Sequence, residues 1–108
     1  MGAKLIVMYP PPKDVEAFER AYNDVHMPMA GPVFKSGGAT KAVLTKAVRA
    51  PGPAPAFHRI IEVHFPSMEA LQACASSKGG QEAVAHAYQI STGGAPVVLV
   101  AEEDVLTF

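Results

Sequence analysis

Two side chains that could transfer a proton lie four residues apart near the start of the chain. Tyr22 and His26 both belong to the stretch Asp14–Pro28, which reads DVEAFERAYNDVHMP. In a helix, residues i and i+4 are neighbours on one side. Histidine titrates near neutral pH, so His26 is a candidate general acid or base, and Tyr22 could orient it or donate to an oxyanion. The structural alternative is that His26 caps the helix and Tyr22 is core.

The surrounding stretch has the pattern of an amphipathic helix. Asp14 is a suitable N-cap. An apolar stripe recurs at steps of three and four residues, formed by Val15, Phe18, Tyr22 and Val25. Pro28 has no N–H and disfavours helical geometry at Met27, so the helix is predicted to end near His26. A helix C-terminus stabilises positive charge, which predicts a raised pKa for His26.

The segment that follows the helix is punctuated by proline and glycine. Residues 27–38 include Pro28, Gly31 and Pro32 and end in two glycines, which predicts an irregular connection. Met29 and Phe34 are its candidate apolar lid over a binding cavity.

Polar side chains also cluster on one face of a predicted strand, Phe57–Phe65. Its even positions include His58, Glu62 and His64. These side chains are suitable metal ligands, but the two histidines are roughly 20 Å apart along a strand, so one metal ion cannot reach both. We therefore predict no metal site. The even face is instead expected to form a polar wall of a substrate pocket, or hydrogen bonds at an interface.

Composition restricts the class of protein. The chain has 108 residues, 49% of them hydrophobic, which fits one globular domain over residues 1–108. The net charge is −1 without a basic block, so we expect no nucleic-acid partner. The apolar runs are too short to span a membrane. The single cysteine, Cys74, excludes an internal disulfide and predicts a buried thiol in a reducing, cytoplasmic setting.

The predicted elements alternate in the order β-α-β-β-α-β. We predict strands at 5–9, 39–48, 57–65 and 97–101, a helix at 14–26, and a second helix from the N-cap Ser67 that Gly79 and Gly80 interrupt before residues 81–88. This order is typical of an α+β, ferredoxin-like antiparallel sheet with its helices on one face. Because the strand Phe57–Phe65 is apolar on both faces, we expect a homodimer that buries the other sheet face.

Four parts of the sequence together resemble the EthD family. They are a first strand that ends in Tyr9-Pro10, the run Asp14-x3-Phe18-x3-Tyr22-x3-His26-x-Pro28, the segment HRIIEVHFPSMEALQA and the segment TGGAPVVLVAEE. The resemblance implies a homodimeric α+β barrel. It also implies kinship with small cofactor-free monooxygenases, isomerases and cyclases. Some EthD-like proteins are encoded with degradation pathways.

The chain departs from the pattern of similar sequences after its second helix. Those sequences carry an Asp and then an Asn-Phe pair, where this chain has His86-Ala87-Tyr88-Gln89-Ile90. The sequence thus leaves two functions open. The first is a cofactor-free enzyme for an apolar or aromatic small molecule, with His26 as the proton-transfer residue. The second is a non-catalytic binding or accessory protein on the same scaffold.

Overall fold

The computed structural model describes residues 2–108, which form one four-stranded sheet and a set of helices packed on it. The elements in chain order are strand β1 (Gly2–Tyr9), helix α1 (Val15–Arg20), a π-helical segment (Ala21–His26), helix α2 (Met27–Ser36), strand β2 (Lys41–Lys46), strand β3 (Arg59–Phe65), helix α3 (Met68–Ser76), helix α4 (Lys78–Ile90) and strand β4 (Val97–Glu103).

The sheet has the strand order β2-β3-β1-β4, and every neighbouring pair is antiparallel. The predicted α+β, ferredoxin-like fold is therefore confirmed. Strand β1 shows how the layers form, because its side chains alternate between two environments. Ala3, Leu5, Val7 and Tyr9 are buried beneath the helices, whereas the residues between them are only half-buried on the opposite face.

Short polar side chains cap the starts of α1, α3 and α4. The carboxylate of Asp14 accepts a hydrogen bond from the amide of Ala17 at 3.0 Å, and the hydroxyl of Ser67 accepts one from the amide of Ala70 at 3.1 Å. The prediction that two glycines interrupt the second helix was wrong by two residues. The break lies at Ser77, whose hydroxyl accepts from the amide of Gly80 and so begins α4.

The helix that begins at Val15 does not end near His26, contrary to the sequence prediction. It widens into the π-helical segment, where the amide of Met27 donates to the carbonyl of Tyr22, and it then continues as α2 through Pro28. Proline clashes with the carbonyl four residues before it in a regular α-helix. A wider turn before Pro28 relieves that clash, so the chain remains helical.

The segment predicted to be irregular is therefore mostly helix α2, and it ends at Ser36. Helix α2 packs against helix α3 at Cys74, whose buried thiol donates to the carbonyl of Val33 at 3.8 Å. Burial raises the pKa of this thiol, as expected for a structural cysteine.

The sheet face opposite the helices is uncovered, and we call it the open sheet face. The cross-strand register places six apolar residues together in its middle, namely Ile6, Met8, Val43, Ile60, Val97 and Leu99. At one end of this face, the ammonium of Lys4 lies 2.6 Å from Glu62 and 3.1 Å from Glu103. Within residues 2–108, the helices are all too short or too polar to cross a membrane.

Candidate functional site

A cavity of about 310 Å³ lies between helix α2 and the sheet. Its floor is made of buried strand residues, including Val7, Ile61 and Val63, and helix α2 covers it from above. The other residues that line it are Tyr9, His26, Met27, Gly31, Phe34, Lys35, Ala39, Thr40, Lys41 and Ala42. The volume is at the lower end of the range for small-molecule sites, and the walls are mostly apolar.

His26 brings a titratable group to the wall of this cavity. It is only 6% exposed and is the one buried histidine within residues 2–108. Burial, reinforced by the nearby charge of His86, lowers the pKa of His26 to about 4. The prediction of a raised pKa was therefore wrong, because the helix does not end at His26 and loss of hydration outweighs any effect of the helix dipole.

The rings of Phe18, Tyr22 and His26 form the row that their spacing predicts. Phe18 and Tyr22 stack with centroids 5.8 Å apart, and Tyr22 and His26 stack at 6.2 Å. Tyr22 is fully buried, its hydroxyl has no hydrogen-bond partner among residues 2–108, and it does not line the cavity. The phenol thus contacts His26 through its ring and not through a hydrogen bond.

The row continues into a residue that the sequence analysis did not place in the site. The Nδ1 atoms of His26 and His86 lie 2.9 Å apart, and their rings are nearly parallel with centroids separated by 5.1 Å. His86 comes from helix α4, in the region where the chain departs from the pattern of similar sequences. That departure was the one sequence signal for this contact.

A cluster of charged side chains contacts the row of rings near Tyr22. Arg59 donates two hydrogen bonds to the carboxylate of Glu19, at 2.6 and 3.2 Å, and its guanidinium lies 5.0 Å from the centre of the Tyr22 ring. The hydrogen bond from Arg59 lowers the pKa of Glu19. His58 also bonds this carboxylate, at 3.1 Å, so it faces helix α1 and does not line the cavity.

The other two polar side chains predicted for the pocket wall lie on the open sheet face. Glu62 pairs with Lys4, and the Nδ1 atom of His64 is 3.4 Å from Glu103. The cavity is on the opposite side of the sheet, where the odd-numbered Ile61 and Val63 form its floor. Strand alternation separates the two sets, so the structure does not bring Glu62 or His64 together with His26.

The two predicted lid residues have different positions. Phe34 lines the cavity, whereas Met29 does not and Met27 takes that place. Both belong to helix α2 and not to a loop. Lys35 adds an exposed ammonium group to the lining, and none of the residues that line the cavity, within the described 2–108, is acidic. Lys41 also borders the cavity, but it is paired with His64 in the register, so its side chain lies on the open sheet face. The site therefore combines an apolar interior, one buried imidazole and one lysine at its rim.

Solved structures share this architecture. An EthD family protein from Bacillus halodurans C-125 superimposes with a TM-score of 0.86 at 25% identity, covering 96% of this chain and 100% of that one. An EthD-like protein from Ralstonia eutropha JMP134 gives 0.68 at 26% identity, covering 94% and 90%. A dimeric ferredoxin-like protein of unknown function from Jannaschia sp. CCS1 gives 0.74 at 17% identity, covering 95% and 100%.

Comparison with curated proteins gives no significant match. The family model named EthD domain matches residues 10–87, a range that begins just after β1 and includes both His26 and His86. Because this match spans well over half of the 108 residues, the chain belongs to the EthD family.

Proposed function

We propose that this protein is a small enzyme that binds an apolar or aromatic molecule in the cavity beneath α2 and transfers a proton through His26. One observation carries the proposal, namely that the one buried histidine of the described chain lies on the wall of a mostly apolar cavity. Burying a polar group is costly. Packing alone would be served as well by an apolar side chain at this position.

The lining residues narrow the class of substrate. Val7, Ile61 and Val63 offer apolar surface to the body of a ligand, and Phe34 offers an aromatic face. Lys35 is exposed at the rim, where it favours an anionic group such as a carboxylate or an enolate. An aromatic or alicyclic acid small enough for about 310 Å³ fits both features.

The resting protonation state of His26 determines its first step. With a pKa of about 4, the imidazole is neutral at pH 7, so it accepts a proton before it can donate one. Abstraction of a proton next to a carbonyl group would create negative charge on oxygen, which the ammonium group of Lys35 would stabilise. Isomerisation, cyclisation and oxygenation can all begin in this way.

We also propose that the working form is a homodimer joined through the open sheet face. The apolar middle of that face would otherwise remain in contact with water. The protein from Jannaschia that shares the fold is described as dimeric. Each protomer would keep its own cavity, because the cavity lies on the helical side of the sheet.

A ligand screen tests the proposal. We would incubate the protein with a set of aromatic and alicyclic acids, detect binding by native mass spectrometry, and analyse each bound compound for conversion. The expected result is conversion of at least one ligand, lost in His26→Gln while binding is retained. Binding without conversion, unaffected by His26→Gln, would show the non-catalytic binding protein instead.

A further inference from the structure

The paired histidines stand between two concave surfaces of the molecule. His26 lines the cavity beneath α2, whereas His86 lines a separate groove of about 460 Å³ between α1 and α4. We call this second surface the outer groove. Lys13, Asp14 and Gln89 are among its residues, and all three are exposed. His86 itself is only partly buried. The pair thus connects a buried imidazole with a hydrated one.

The geometry of the contact requires one shared proton. Two Nδ1 atoms 2.9 Å apart repel each other if both carry a proton or if neither does. One ring must therefore donate from Nδ1 while the other accepts, and the accepting ring carries its own proton on Nε2 when it is neutral. Both Nε2 atoms remain outside the contact, which leaves one site for proton entry and one for release.

We propose that His26 and His86 form a proton relay between the cavity and the solvent of the outer groove. The relay rests on the proposed role of His26. As His26 takes the substrate proton on Nε2, it passes its Nδ1 proton to Nδ1 of His86, and His86 releases its Nε2 proton to water. The substrate C–H bond breaks, N–H bonds form and break on the two rings, and an O–H bond forms on water, so one proton leaves for each one taken up. The same proton transfers in reverse order return a proton to the product.

The surroundings of the two rings favour transfer of the positive charge from His26 to His86. Burial disfavours the charged form of His26. His86 shares its groove with the charges of Lys13 and Asp14, which are of opposite sign. Transfer to His86 therefore moves a positive charge away from the buried site and towards water.

Nuclear magnetic resonance of ¹⁵N-labelled histidine tests the relay without a substrate. The wild-type protein is expected to show one Nδ1-protonated ring and one Nδ1 acceptor, with a coupling between the two nitrogen atoms. The ring N–H of His26 should exchange with water at least tenfold faster than in His86→Gln, because glutamine can hold a hydrogen bond but cannot pass the proton on. Melting temperature and circular dichroism verify that the variant is folded.

The matched control is His64→Gln, which removes an imidazole from the open sheet face and should leave the exchange at His26 unchanged. An exchange rate that His86→Gln does not alter, or two rings both protonated on Nε2, would overturn the relay. Once a substrate is known, His86→Gln should lower kcat tenfold or more at unchanged KM, with partial rescue by free imidazole. Failure of the ligand screen alone would count against the proposed function and leave the exchange result standing.

Discussion

The rings of Tyr22 and His26 stack with their planes at 21°, yet the hydroxyl of Tyr22 has no partner within residues 2–108. The contact therefore orients the imidazole by packing. Burial also raises the pKa of Tyr22 to about 12, so the phenol remains protonated at neutral pH. Tyr22 can act as a hydrogen-bond donor near the site but not as a base.

Removal of the Tyr22 hydroxyl should stabilise the unliganded protein. A buried hydroxyl without a partner costs about 1–3 kcal/mol, and Tyr22→Phe keeps the ring that packs between Phe18 and His26. We expect the free energy of unfolding to rise by about 1 kcal/mol in urea titrations. Tyr88→Phe is the control, because Tyr88 is 49% exposed and its hydroxyl is free to bond water. A loss of stability in Tyr22→Phe would show that the phenol is hydrogen-bonded in solution.

Stability should depend on pH through His26. The pKa of His26 is about 4 in the folded protein and near 6.5 in the unfolded chain, so the unfolded state binds the extra proton between these values. The free energy of unfolding should therefore fall as pH is lowered from about 6.5 to about 4, by about 3 kcal/mol in total.

The matched variant for this measurement is His26→Gln, which cannot titrate. Its unfolding free energy, measured in urea at a series of pH values, should change less with pH over the same interval. At still lower pH, the carboxylate of Glu19, whose pKa is lowered by the hydrogen bond from Arg59, protonates, and the two proteins should lose stability together. Equal slopes between pH 6.5 and 4.5 would contradict the assigned pKa.

A charge on the open sheet face should separate the proposed dimer. Ile60 lies in the apolar middle of that face, opposite Met8 in the register. Burying an unpaired carboxylate costs several kcal/mol, so Ile60→Glu should dissociate at micromolar concentration. Light scattering should then report a monomer of 11.3 kDa. Val48→Glu, at a loop residue that is 88% exposed, should leave the dimer intact. A wild-type protein that is already monomeric would refute the dimer itself.

Gly31 within helix α2 and Gly37, which directly follows that helix, should respond oppositely to alanine. A Cβ atom at Gly31 meets nothing within 4 Å, so Gly31→Ala should raise stability by up to about 1 kcal/mol through helix propensity. A Cβ atom at Gly37 would collide with the side chain of Cys74, so Gly37→Ala should lower stability by about 1–3 kcal/mol. Thermal unfolding compares the two variants, and an equal effect of both would mean that α2 does not pack closely on α3.

The sequence alone determined the features that depend on neighbouring residues. Asp14 and Ser67 predicted helix starts because a cap acts within three residues, and both caps are present. The spacing of Phe18, Tyr22 and His26 predicted their alignment because helix geometry repeats locally. The order of strands and helices predicted the ferredoxin-like sheet, since few topologies accommodate β-α-β-β-α-β.

Tertiary structure decided the features that depend on distant parts of the chain. The wider π-helical turn before Pro28 and burial against α4 keep the chain helical there, against its local tendency to end. The same burial reverses the expected shift in the pKa of His26. Sixty residues separate His26 from His86, and no local rule of spacing pairs them. The alternation of side chains along the strand predicted that Glu62 and His64 share one face. Which face of the sheet the helices cover depends on how the layers pack together.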